Sequence, residues 1–213
     1  MVNSGKNASY RILHQNGALH HRVTAMQRLL TECTLCPRRC GVDRLAGETG
    51  FCRIGTLARV ASFGPHFGEE VPLVGSSGSG AIFFSGCTLG CVFCQNHAFS
   101  RVEVPGDDAP DAVTAEQLAA IMLGLQEQGC LNINLVTPGH VLPQILQALE
   151  YAVPGGLELP LVYNSGGYDS VEVLRLLEGI VDIYLPDCKF MNHRLAARYT
   201  GRADYPEIMR AAV

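Results

Sequence analysis

The chain has 213 residues, 47% of them hydrophobic and 17% charged, a balance that supports a buried core and excludes intrinsic disorder. A net charge of −4 with no Lys/Arg stripe gives a nucleic-acid surface no electrostatic support. The longest charge-free stretches, 71–100 and 128–149, are broken by Gly, Pro, Asn or Ser, so no continuous membrane span is expected.

Residues 1–30 are polar, with His14, His20 and His21 and an apolar pattern only near Met26 to Leu30. They read as a loose extension or short helix, and no apolar run of a secretion signal is present. Residues 31–56 carry Cys33, Cys36, Cys40 and Cys52, with Gly41, Gly47, Gly50 and Gly55 supplying turns. From 57 to 213 strands and helices alternate. Ala81 to Ser85 is a short apolar strand ending at Gly86. Thr114 and Gln117 form a capping box for a helix whose apolar face is Leu118, Ile121, Met122 and Leu125. Leu131 to Val136 reads as a second strand, stopped by Pro138-Gly139. Ile145, Leu146 and Leu149 mark another helix. Leu159 to Tyr163 is a third strand, followed by the Asn164-Ser-Gly-Gly167 turn. Ser170 is placed to cap the next helix, and Gly179 to end it. Ile180 to Leu185 is the fourth strand, and weakly helical sequence runs on to Val213.

Four strands with helices between them argue for an α/β fold with a parallel sheet, open or partly curled into a barrel. Ligands of such sheets bind at the carboxyl ends of the strands. Four chemistry-bearing segments fall there: Cys87 to Cys94, Thr137-Pro-Gly-His140, Asn164 to Gly167, and Asp187-Cys-Lys189.

Nine cysteines are a poor disulfide framework and a good metal inventory, which points to a cytosolic metalloprotein. Cys87, Cys91 and Cys94 have the spacing C-x3-C-x2-C, and three thiolates on a tight loop suit an iron–sulfur cluster with one iron left open. A zinc site closed by His97 is the competing reading of this loop. The stretch Phe84-Ser-Gly-Cys-Thr-Leu-Gly-Cys-Val-Phe-Cys-Gln-Asn96 resembles the cluster loop of radical S-adenosylmethionine enzymes, in particular the pyruvate formate-lyase-activating-like branch. The likeness extends over Cys33 to Gly55, His66 to Gly80 and Asn164 to Lys189.

The resemblance implies a partial (β/α)6 barrel with about four strand–helix units present. It implies a [4Fe-4S] cluster on Cys87, Cys91 and Cys94, and S-adenosylmethionine on the open iron. Reductive cleavage would give a 5′-deoxyadenosyl radical for hydrogen abstraction, with glycyl-radical-enzyme activation as one outcome. The reductant would be a donor such as flavodoxin or ferredoxin, and a partner protein is one class of substrate. Phe93 matches the aromatic position near adenine, and Gly78 and Gly80 a turn that approaches the cofactor. Asn164, Ser165, Asp187 and Lys189 match the pocket wall and a D-x-K element. After the second strand the chain departs from the family's Gly-Gly-Glu-like element, leaving Thr137 or His140 to meet the cofactor's amino group, although a satisfied loop histidine is the favoured reading of His140. His66, Glu69 and Glu70 read as solvated loop residues, and Cys130 and Cys188 as packing residues.

For Cys33, Cys36, Cys40 and Cys52, zinc, a second iron–sulfur cluster and a metal-free redox knot all stand open, because spacing does not choose among them. Four units in 133 residues leave a six-strand barrel unfinished, and the terminal helix has no stop, so a chain truncated at its carboxyl end is expected. A catalytically inactive metal-binding fragment or binding module is the alternative function.

Overall fold

A computed structural model describes residues 8–213. Residues 1–7 of the expected amino-terminal extension lie outside it. From Ala8 on, that segment is not loose. Helices α1 (Tyr10–Gln15) and α2 (Ala18–Arg28) bury Tyr10, Leu19, Val23 and Met26 in the main core. Leu30, Cys33, Leu35 and Ile54 join the same core, so the four-cysteine segment is continuous with the rest of the fold. Sequence patterning understated α2 because His20, His21 and Arg22 fill its outer face.

Strand β1 (Ala58–His66) leads through a short helix, α3 (Val71–Val74), to β2 (Ser79–Phe84). The three-cysteine loop and helix α4 (His97–Ser100) follow, then β3 (Ala112–Val113) and α5 (Ala115–Glu127). Strand β4 (Ile133–Val136), a turn at Pro138–His140, α6 (Leu142–Ala152) and β5 (Leu161–Ser165) come next. The chain continues as α7 (Val171–Leu176), β6 (Ile183–Pro186), α8 (His193–Thr200) and α9 (Tyr205–Ala212). The strands form one six-stranded sheet in the order β3-β1-β2-β4-β5-β6. Strands β2, β4, β5 and β6 are parallel, as expected, while β1 runs antiparallel to both neighbours.

Strands β1 and β3 were not anticipated. The sequence of β1 lacks alternation, carries Gly64-Pro65, and slips register between Val60 and Ser62. It is held by partners rather than by pattern. Arg59 donates from Nε to Asp111 at 2.7 Å, and the Ser85 hydroxyl donates to the same carboxylate at 2.6 Å. That group ties β1 and β3 to the end of β2.

Successive strand residues point to opposite faces. Ile82, Phe84, Ile133, Leu135, Leu161 and Tyr163 pack with the apolar stripes of α2, α5 and α6 in one core. The intervening residues Phe83, Val136 and Asn164 line a cavity on the other face. The α5 capping box forms on both sides: the Thr114 hydroxyl accepts from the Gln117 amide, and the Gln117 side chain accepts from the Thr114 amide. The side chains at the starts of α7 and α9 are spent elsewhere. The Ser170 hydroxyl donates to Glu172, and Asp204 pairs with Arg202 and accepts from the Tyr168 hydroxyl. No helix among the described residues is long and apolar enough to cross a membrane.

Candidate functional site

The loop after β2 is fixed from three sides. The Gly86 amide donates to Phe99 O at 2.8 Å, and the Val92 amide to Tyr199 O at 2.9 Å. From the amino-terminal segment, Arg38 donates from Nε to Thr88 O and from Nη2 to Leu89 O, the latter at 3.1 Å. Leu89 and Cys91 form a small second core with Tyr168, Ala196, Tyr205 and Met209. Helices α8 and α9, which the sequence showed only as weak helical pattern, are therefore the bed of this loop.

Cys87, Cys91 and Cys94 line one cavity of about 600 Å³ together with Phe93, Thr137, Asn164, Ser165, Asp187 and Lys189. These residues come from the ends of β2, β4, β5 and β6, the convergence expected for a parallel sheet. Phe93 is half exposed, its ring edge-on to Phe190 at 5.8 Å. Lys189 pairs with Asp187 inside the cavity. Burial pushes the Cys91 thiol up to about 11, with the nearby Lys189 ammonium opposing that rise. Burial likewise raises Cys87.

Ser165 is a wall residue with its polar atoms occupied. Its hydroxyl donates to Asp169 at 2.6 Å and accepts from the Gly167 amide at 3.1 Å. Asn164 lies 3.5 Å from the Glu69 carboxylate. His66 and Glu69, expected to be solvated, both line the cavity, whereas Glu70 only precedes α3.

The structure does not bring Gly78 and Gly80 to the cavity. They sit at the opposite end of β2 from the cysteine loop, because β2 runs from Ser79 to Phe84 before reaching Cys87. Gly80 serves packing instead: a Cβ there would lie 2.7 Å from Asn132 O and 3.3 Å from Leu125. His140 is also absent from the cavity. It is buried behind the loop, with Nε2–H donating to Ser85 O at 2.8 Å and Nδ1 without a partner among the described residues. Burial, helped by the Arg44 charge, lowers it to about 4, so the ring is neutral. Of the two candidates after β4, Thr137 is the one facing the cavity.

Tyr205 carried no sequence signal. Its hydroxyl accepts from the Lys189 amide at 2.9 Å and lies 2.9 and 2.8 Å from the carbonyls of Gly166 and Asp187. One phenol thereby joins the ends of β5 and β6, where the D-x-K element begins.

Cys33, Cys36, Cys40 and Cys52 line a second, small pocket with Arg38, Arg44, Phe51, Thr88 and His140. Burial first, and then the neighbouring thiols, push Cys36 up to about 12. Among the described residues, no three His, Cys, Asp or Glu side chains are already drawn in on a single ion position. Both thiol groups line shared hollows. Cys130 is buried and Cys188 exposed, and neither lines either hollow.

The chain matches no family model. It is similar to an uncharacterized protein of Methanocaldococcus jannaschii, 34% identical over 193 residues, which covers 89% of this chain. The match takes in 54% of that relative, so the chain spans about half the length of the curated protein it resembles.

Proposed function

We propose that this chain is a cytoplasmic radical S-adenosylmethionine iron–sulfur protein built on a partial (β/α)6 barrel. The observation that supports this most is that all three cysteines of the C-x3-C-x2-C loop line one 600 Å³ cavity walled by three further strand ends. The donor set suits the group: three soft thiolates on one loop leave an iron without a protein ligand, and the hollow in front has the size of a small-molecule site. Cys87, Cys91 and Cys94 would hold a [4Fe-4S] cluster, with S-adenosylmethionine against Phe93, Asn164, Asp187 and Lys189. When bound, the pair supplies one-electron cleavage of a carbon–sulfur bond and a radical that abstracts hydrogen.

The chain's own residues prepare that space. Phe93 keeps a ring face available for stacking. Lys189 offers a cation beside Cys91, and Asp187 and Glu69 offer acceptors for ammonium or hydroxyl groups. Leu89, Phe83 and Val136 give part of the wall an apolar lining. A donor such as flavodoxin or ferredoxin would supply the electron, and a glycine backbone of a partner enzyme is one fitting hydrogen source. The proposal includes a metal on Cys33, Cys36, Cys40 and Cys52.

Anaerobic reconstitution tests the reading. Iron and sulfide should bind in about equal amounts, near four of each at the loop. Reduced protein should cleave S-adenosylmethionine. Cleavage that survives Ala at Cys87, Cys91 or Cys94 would overturn it.

A further inference from the structure

The four-cysteine pocket adjoins the cavity described above, sharing only Thr88 with it, and its dimensions bear on what spacing leaves open. We infer that Cys33, Cys36, Cys40 and Cys52 form a closed mononuclear zinc site, and that Arg38 transmits its geometry to the three-cysteine loop. The second clause rests on the function proposed above; the first does not.

Space is the first argument. The pocket leaves a void of about 10 Å³, against about 600 Å³ before the other three cysteines, and of its four cysteines Cys52 also borders an open hollow of about 620 Å³. Such a void holds roughly one water-sized sphere. One zinc ion with thiolates at about 2.3 Å suits it. Four irons with four bridging sulfides do not.

Local chain geometry is the second. The Arg39 amide donates to Cys36 O at 3.0 Å and the Gly41 amide to Cys33 O at 3.1 Å, folding the first three cysteines into successive turns. Cys52 enters from the facing turn, where the Arg53 amide donates to Gly50 O at 3.0 Å. Gly50 itself touches Cys40: a Cβ there would lie 2.8 Å from its Sγ. The two turns close on each other because that residue has no side chain.

Charge is the third. Arg44 is fully buried at the pocket and donates to the carbonyls of Gly55 and His140. Among the described residues no carboxylate pairs with it. A guanidinium buried among neutral acceptors is costly. A zinc ion on four thiolates carries a net charge of about −2 and offsets it, whereas four neutral thiols or two disulfides would not.

The coupling follows from residues between the cysteines. Arg38, two positions after Cys36, holds the Thr88 and Leu89 carbonyls, and its guanidinium lies 3.2 Å from the centre of the Phe51 ring. Gly86 (φ +80°) sits where a Cβ would be 2.7 Å from Cys52 O, and Gly90 (φ +71°) where one would be 3.0 Å from Phe51. Fixing Cys36 and Cys52 on one ion therefore fixes both flanks of the loop.

The test uses the full chain and a variant with Cys87, Cys91 and Cys94 all replaced by Ala. Elemental analysis should give one zinc per chain in both. Cobalt(II) offered in place of zinc should give the visible spectrum of a tetrahedral tetrathiolate in both, which keeps the test independent of how Cys36→Ala folds. Cys36→Ala should lose the zinc. Amide exchange over 86–91 should rise about tenfold or more in chelated wild type and in Arg38→Ala, while Arg38→Ala keeps its zinc. Absence of zinc and cobalt binding overturns the site, as does a sulfide-containing cluster in the triple variant. Zinc binding with unchanged exchange in both samples overturns the coupling. Failure of the radical reading looks different: zinc is present, but reconstitution adds no cluster at Cys87, Cys91 and Cys94.

Discussion

Four cysteines near the amino terminus line a void of about 10 Å³, whereas three on the β2 loop line a cavity of about 600 Å³. The side chain is the same and the surroundings differ. Besides its cysteines, the small pocket is walled by Leu35, Arg38, Arg44, Phe51, Thr88 and the neutral ring of His140, and both guanidiniums are spent on backbone carbonyls. The large one is walled by the half-exposed Phe93, the side-chain amides of Gln95, Asn96 and Asn164, the carboxylates of Glu69 and Asp187 and the Lys189 ammonium, from segments that only the fold brings together. A closed thiol set holds an ion for the sake of structure. An open one leaves coordination for chemistry.

The largest effect separates the two sets. Cys91→Ala should abolish iron and sulfide uptake at the β2 loop and all S-adenosylmethionine cleavage, leaving the zinc content at one per chain. Metal analysis and a cleavage assay on one preparation check both halves. Loss of zinc in this variant would mean the two sets share an ion and the contrast is false.

Next comes the charge that the closed site balances. Arg44→Met removes the buried guanidinium and leaves the Gly55 and His140 carbonyls unpaired. We expect zinc-loaded protein to lose about 3–5 kcal/mol, the range for breaking a buried charge pair. Metal-free protein should lose clearly less, because the partner charge is already gone. Urea titrations of the two forms give the difference, and equal losses would remove Arg44 from the electrostatics of the site.

Much of this contrast was legible in the sequence, and unevenly. The thiol sets, the four parallel strands and the capping box of α5 follow from spacing and period, which are local properties. Phe93, Asn164, Ser165, Asp187 and Lys189 were legible because a strand end announces where its loop points. Gly78 and Gly80 were misplaced for a related reason: a glycine turn before a strand looks the same whether it meets a ligand or a packed helix. Arg38, Arg44 and Tyr205 left no trace, since their partners lie 11 to 96 residues away along the chain. Strand β1 was invisible because its pairing is antiparallel, bulged and anchored by Arg59 and Asp111 rather than by alternating apolar residues.

His140 joins the two regions, lining the small pocket while donating to Ser85 O just ahead of the open loop. Folding lowers it from 6.5 to about 4. Between those values the unfolded chain takes up a proton that the folded chain refuses, so stability falls as pH falls from 6.5 towards 4. The loss is on the order of 3 kcal/mol from this residue. His140→Gln, which keeps an N–H for Ser85 O, should flatten that part of the pH profile in metal-free protein. An unchanged slope would show that the acid sensitivity belongs to other groups.

The smallest effect tests whether the open site is held as firmly as the closed one. Tyr205 is buried, and its hydroxyl takes the Lys189 amide while facing the carbonyls of Gly166 and Asp187. Tyr205→Phe keeps the ring against Tyr168 and Phe190 but leaves those backbone groups without their partner. One such loss costs about 1–3 kcal/mol when the groups stay buried, and the strand ends here border a wet cavity, so the lower part of that range is expected. The cost should fall on position more than on folding. Lys189 and Asp187 would lose their fixed spacing from Asn164, and affinity for S-adenosylmethionine should drop about tenfold while the melting temperature moves by only a few degrees. Zinc content should not change, because the partners of the Tyr205 hydroxyl are Lys189, Gly166 and Asp187, none of which lines the four-cysteine pocket. Equal weakening of zinc and S-adenosylmethionine binding would show that the two regions respond as one unit, and that Arg38 is only part of what links them.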